Sequence, residues 1–256
     1  MKNVGFELTK WYMDCSNEKG DFYIGYWAKL NWFGLEFYYY NDLWKEHTND
    51  KIFSKGSFSY IDEPVFEDSQ LLWRNSEWKS MATPVSYNLF PESSANKVNW
   101  VCTQPKAKVI VEMPTYKFEG YGYTECIKLH IEPWKLQMDV LYWGRIISIN
   151  HTVIFIITEG KEYQNIYFQD SSLYPTMCTV TDNVISAQTF KFECNEKISI
   201  REGKLIDNVL NSFKDIKKLP VVKTFFAEEH KWFSKGLLTI NDVTESADII
   251  YEKVIL

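Results

Sequence analysis

The sequence predicts an all-β protein with one amphipathic helix near the C-terminus. Three observations carry that expectation. Short segments alternating apolar with polar residues recur along the chain, each bounded by turn residues. Aromatic residues, which favour strands, reach 17% of the 256 residues. Helical periodicity replaces the two-residue repeat in one segment only, 204–220.

Taken in order, "FYIGYWAKLNW" (22–32) sets Phe22, Ile24, Tyr26, Ala28, Leu30 and Trp32 on one face. "GLEFYYYNDLW" (34–44) follows a turn at Phe33–Gly34, and the two segments read as a hairpin. Residues 46–97 hold Pro64, Pro84 and Pro91 among clustered Ser and Asn, and read as ordered long loops and short strands. "VNWVCTQ" (98–104) and "AKVIVEM" (107–113) read as separate strands around Pro105, and the lobe boundary is placed there, giving lobes 1–106 and 107–256. "FEGYGYTECIKLHIEPW" (118–134), "WGRIISIN" (143–150), "TVIFIIT" (152–158), "NIYFQD" (165–170), "TFKFECN" (189–195) and "SADIIYEKVIL" (246–256) complete the strands. In "KLIDNVLNSFKDIKKLP", Leu205, Val209, Phe213 and Ile216 share a helical stripe that ends before Pro220. "KWYMDC" and "GYGYTEC" each set aromatics before an acid and a cysteine, as a duplicated lobe would.

Charge and motifs remove several function classes. A net charge of −6 argues against a nucleic-acid partner, which demands a basic surface. The most apolar stretch, "RIISINHTVIFIIT", is too short and too interrupted for a membrane span. The opening "MKNVGFELTKWYMDC" lacks the apolar core of a signal peptide, and five cysteines without a CxxC pair suit reduced thiols, so a cytoplasmic location is expected. Four scattered histidines show no metal-ligand spacing, so no metal site is expected. There is no GxGxxG, GxxxxGK[ST] or GxSxG.

One residue breaks the alternation. In 118–134, Tyr121, Tyr123, Glu125, Ile127, Leu129 and Ile131 share a face, which puts a carboxylate among rings and aliphatics. Such a group is either paired or held neutral by a raised pKa. In "LYWGRIIS", Arg145 shares a face with Trp143, Ile147 and Ile149. One reading is therefore a buried Glu125–Arg145 ion pair that fixes strand register. The other is a neutral Glu125 that protonates a substrate, with Tyr121 and Tyr123 holding it or facing a developing cation. Asp14, on one face with Tyr12, reads as a turn residue capping backbone N–H groups, or else as a base paired with Glu125. The ring-rich composition fits a cavity for a flat or apolar ligand as well as a strand-rich core.

Several phrases together, "KWYMDC…GDFYIGYWAKLNW", "NWVCTQPKAKV", "FEGYGYTECIKL", "PWKLQMDVLYWGRI" and "KWFSKGLLTI…IIYEKV", resemble the carotenoid 1,2-hydratase (hydroxyneurosporene synthase)-like group, related to tocopherol cyclase-like and AttH-like proteins. The resemblance runs from residue 10 to the end. It implies two tandem lipocalin-like β-barrels and a cofactor-free enzyme acting on an isoprenoid or polyketide-like molecule. By motif position it makes Glu125 the acid, with Tyr123, Trp143 and Arg145 around it and Trp11, Tyr12 and Asp14 from the first lobe; Tyr26 and Tyr121 join the expected aromatic wall. A hydratase of this kind protonates an alkene, and water traps the cation. A chain shorter than typical carotenoid hydratases points to a different cavity and substrate. The sequence leaves open two further classes: a non-catalytic binding protein for a lipid or pigment, and an accessory protein of secondary metabolism whose barrels serve a protein partner.

Overall fold

The computed structural model describes residues 5–90, 97–113, 116–204 and 227–256. Contacts divide the chain into two compact units, Met1–Lys135 and Leu136–Leu256. Apart from one 3₁₀ turn at Pro133–Lys135, every regular element among the described residues is a strand. The expected helix over 204–220 lies, beyond Lys204, outside them.

In the first unit the strands are β1 (Glu7–Ser16), β2 (Phe22–Trp32), β3 (Leu35–Lys45), β4 (Phe53–Ser57), β5 (Val65–Glu67), β6 (Gln70–Trp73), β7 (Ser76–Ser80), β8 (Val85–Asn88), β9 (Val98–Glu112) and β10 (Lys117–Leu129). They form one curled sheet in the order β4-β3-β2-β1-β10-β9-β7-β6-β5, with β8 added to β9. The second unit holds β11 (Met138–Ser148), β12 (Thr152–Gly160), β13 (Gln164–Gln169), β14 (Ser172–Tyr174), β15 (Thr179–Val180), β16 (Val184–Ser186), β17 (Phe190–Lys204), β18 (Glu228–Ile240) and β19 (Val243–Ile255). Their order is β14-β13-β12-β11-β19-β18-β17-β16-β15. Both sheets share one plan: an antiparallel meander whose first strand sits between the second and the last. This is the all-β arrangement of two tandem lipocalin-like lobes.

The duplication is therefore real in topology, but the sequence echo does not mark it. "KWYMDC" lies on β1 and "GYGYTEC" on β10, which are paired neighbours in the same sheet. The equivalent of β1 in the second unit is β11. The boundary expected at 106/107 falls within β9, whereas the contacts part the chain between Lys135 and Leu136. The misleading signal was Pro105. It does not end a strand: it sits in a bulge, where a residue with no N–H to donate is tolerated. Between the pairs Gly122↔Ala107 and Thr124↔Gln104, Pro105 and Lys106 together face Tyr123. A second bulge follows, with Thr103 as the extra residue before Glu125↔Cys102.

Each sheet wraps one face around an apolar core. In the first unit Met13, Cys15, Trp27, Trp78 and Val109 meet there, and in the second Phe155, Tyr167, Phe192, Leu238 and Ile249. In the first unit the opposite face is also buried around the middle of β1 and β10, and it is polar. Asp14 has no exposed surface, and Tyr12 and Tyr123 are as deeply enclosed.

Candidate active site

The centre of the β1–β10 pair is a square of alternating tyrosines and carboxylates. Register places Tyr12 opposite Glu125 and Asp14 opposite Tyr123, and cross-strand partners share a face. Along each strand the tyrosine hydroxyl donates to the acid two residues on. Tyr12 Oη reaches Asp14 Oδ2 at 2.9 Å, and Tyr123 Oη reaches Glu125 Oε2 at 2.7 Å. The two Tyr-x-acid motifs are thus related by the local two-fold of an antiparallel pair, which accounts for the echo in the sequence. Asp14 is not a turn cap: it lies inside β1, and turn capping falls to Asn17, whose Oδ1 accepts from the backbone N–H groups of Lys19 and Asp21.

Two further aromatics close on the square. Trp100, on β9 next to Glu125's partner Cys102, donates its indole N–H to Glu125 Oε2. Tyr26, on β2 opposite Tyr12, packs edge-on against it with ring centroids 5.4 Å apart, and Tyr123 lies 6.1 Å from Tyr12 on the other side. Tyr121 continues the face along β10, with Lys106 Nζ 5.4 Å from its ring centroid. An indole nitrogen only donates, so Glu125 Oε2 accepts from Trp100 as it does from Tyr123.

The bulges on β9 give Tyr123 this environment. Extra residues on β9 re-aim side chains next to β10 without disturbing its pairing with β1, which runs unbroken from Leu8↔Leu129 to Ser16↔Tyr121. Ladder irregularities are bridged by side chains: Thr103 and Thr124 hydroxyls lie 2.7 Å apart, and Thr124 donates to Gln104 Oε1 at 2.9 Å. Gln104 in turn donates to the Trp78 carbonyl at 2.9 Å. Burial, then the neighbouring Cys102 and Glu125, push the Tyr123 hydroxyl well above the ordinary phenol range. It stays a neutral donor. Burial followed by the charge of Glu125 does the same to the Cys102 thiol, which rules it out as a thiolate nucleophile at neutral pH.

Of the residues expected at the site, Tyr12, Asp14, Tyr26, Tyr121, Tyr123 and Glu125 share one face of the first unit's sheet. Trp11 does not. It alternates with Tyr12 onto the core face, opposite Trp27 and Cys126, and donates to Glu63 Oε1 at 2.7 Å. Trp143 and Arg145 belong to the second unit, both buried on β11. There Arg145 Nη1 donates to the Asp248 carbonyl at 3.3 Å, and Lys231 Nζ stands 5.8 Å from the Trp143 ring centroid. Near Trp143 lies a buried charge cluster that the sequence reading did not find: Lys231 pairs with Glu252 and, at 3.8 Å, with Glu229, which Arg201 approaches at 3.5 Å. Trp100 was also missed. Its signal is present in "VNWVCTQ", where Trp100 and Cys102 alternate, but it acquires meaning only once β9 is paired with β10.

No family model and no curated protein matches the sequence. Solved structures do. A crystal structure of CghA with Sch210972 aligns with a TM-score of 0.57 at 9% identity, over 98% of this chain and 88% of that one. Kievitone hydratase from Nectria haematococca aligns with a TM-score of 0.58 at 8% identity, over 99% of this chain and 90% of that one. The chain has their fold. The resemblance read from the phrases quoted above thus holds at the level of the fold. Among the described residues no helix is long and apolar enough to cross a membrane, and no cluster of His, Cys, Asp and Glu is arranged to hold a metal ion.

Proposed function

We propose that this protein is a hydratase- or cyclase-type enzyme acting on an apolar, alkene-bearing small molecule, with Glu125 as the proton donor. The observation that carries the reading is the double donation from Tyr123 and Trp100 to one oxygen of Glu125, on a ring-rich face outside the core. Two fixed donors hold the carboxyl in one orientation on that face, as a positioned general acid requires. Protonation of an alkene leaves a carbocation, and the ring faces of Tyr12, Tyr26 and Tyr123 suit such a charge. Asp14, opposite Tyr123, would take the proton from an attacking water in a hydration, or from carbon in a cyclisation or isomerisation. The hydratase name of one structural neighbour supports the same class of reaction, with an isoprenoid or polyketide-like substrate and no cofactor in the chemical step.

The test is Glu125→Gln, assayed by mass spectrometry against a panel of isoprenoid and polyketide-like alkenes. Removing a general acid should lower turnover by about 10²–10⁴-fold while fold and ligand affinity stay near wild type. Undiminished turnover would take Glu125 out of the mechanism. Binding of the same compounds with no product from the wild type would favour the non-catalytic carrier instead. For Arg145, a double-variant cycle of Glu125→Gln with Arg145→Met separates the two earlier readings. Coupled losses mean the residues act together, and additive ones mean separate roles.

A further inference from the structure

The first unit carries a surface feature that neither the core nor the carboxylate face uses. Among the described residues, four tight hairpins turn through two residues with positive φ. Three of them use small polar residues: Asp68–Ser69 (48°, 64°), Asp170–Ser171 (48°, 68°) and Asn241–Asp242 (49°, 65°). The fourth, between β2 and β3, is Phe33–Gly34 (50°, 76°). Left-handed backbone disfavours a bulky side chain and suits Asn, Asp or Gly, so Phe33 is a costly choice for the turn itself. Burial returns little for this cost, since Phe33 is 78% and Leu35 61% exposed. A strained aromatic left this exposed points to a role outside the fold.

The ground beneath the tip is aromatic as well. Trp32 lies 4.9 Å from Phe33 by ring centroids and 5.5 Å from Trp134, and Phe6 stands edge-on to both tryptophans at 6.3 and 5.9 Å. An apolar Phe/Leu tip above a tryptophan collar has the layering of a segment that dips into lipid, with indoles at the headgroup level. Nearby charges are mixed: Lys29 pairs with Glu36 at 2.7 Å, Lys135 with Glu132 at 2.9 Å, and Glu7 faces Asn31. This balance offers no attraction to acidic headgroups. A two-residue convex tip also lacks the roughly 1,000 Å² of matched surface that a specific protein partner needs.

We infer that the β2–β3 tip, Phe33 with Leu35, docks this protein reversibly on neutral phospholipid surfaces, the tip entering the acyl boundary and Trp32 resting at the headgroups. Flotation of the full chain with phosphatidylcholine vesicles tests it, beside the double variant Phe33→Asn/Leu35→Ser. Asn suits the turn better than Phe, so the variant should melt no lower than wild type while its partitioning falls about tenfold or more. Three results would overturn the inference: no flotation of the wild type, equal flotation of the variant, or binding seen only with phosphatidylserine and released by high salt. A wild type that dimerises in solution and becomes monomeric in the variant, without flotation, would assign the tip to a second copy of this chain and likewise overturn it.

Discussion

A tyrosine placed two residues before a carboxylate on a strand has a built-in reach. The two-residue repeat of about 6.7 Å is close to the length of the tyrosine side chain, so the hydroxyl arrives at the acid without distorting either rotamer. Tyr12–Asp14 and Tyr123–Glu125 both use it. Tyr123→Phe removes one of the two donors that orient Glu125 while leaving the ring that packs 6.1 Å from Tyr12. Turnover should fall by about tenfold or more with the fold intact, because the acid loses its fixed orientation. Turnover equal to wild type would mean that the Tyr123 hydroxyl does not position the acid. Alternation made Glu125 and Tyr123 legible in the sequence, and the same rule separates Trp11 from Tyr12. Trp100 was illegible because its donation depends on the pairing of a strand 25 residues away in sequence.

At the scale of elements, the glycines of "GYGYTE" hold β1 and β10 together at close range. A Cβ on Gly122 would stand 2.0 Å from the Asp14 carbonyl oxygen and 2.8 Å from Val109 Cγ2, and one on Gly120 would stand 2.1 Å from the Ser16 carbonyl. The same Asp14 carbonyl accepts the Trp78 indole at 2.8 Å from the core side. Gly122→Ala must push the strands apart, so it should destabilise the fold by about 1–3 kcal/mol and spoil the Tyr12/Glu125 register. Gly5→Ala, with nothing within 4 Å, is the control; equal melting of the two variants would refute the close-approach argument. The turn from β1 to β2 carries a pH-dependent contribution. Burial works against the Asp21 charge, but donors from Tyr116, the His47 backbone, Asn17 and the His47 ring outweigh it and hold the carboxyl below its ordinary 3.8. A depressed carboxyl stabilises the fold above its unfolded pKa, and that contribution fades as pH falls through the folded value. Asp21→Asn should thus melt lower than wild type at neutral pH and converge with it in strong acid. A gap that stayed constant down to acid pH would show that packing, not charge, is what Asp21 supplies.

For the whole molecule, strand alternation was enough to foresee an all-β fold, because burying one face of each sheet imposes the two-residue period directly, while the two lobes came from the family resemblance. The lobe boundary was harder to read, because the strand that closes each sheet pairs with the first one across the full length of its unit. Lipocalin-like closure gives "VNWVCTQPKAKVIVE" no meaning until β1 and β10 are joined. Only then is Pro105 a bulge in a single strand and not a linker. This leads to a prediction about fragments. We propose the autonomous boundary at 135/136: residues 1–135 contain β1 to β10 and every strand pairing of their sheet. A fragment ending at residue 106 would cut β9 in half and leave β1 without β10, exposing the Tyr12 and Asp14 edge and removing Tyr123 and Glu125 altogether. Residues 1–135 should give a cooperative melt with strand-rich circular dichroism, whereas 1–106 should be unfolded or aggregate through its open edge. Cooperative folding of 1–106 would return the boundary to Pro105. It would also show that the acidic square is an addition to a lobe already complete without it.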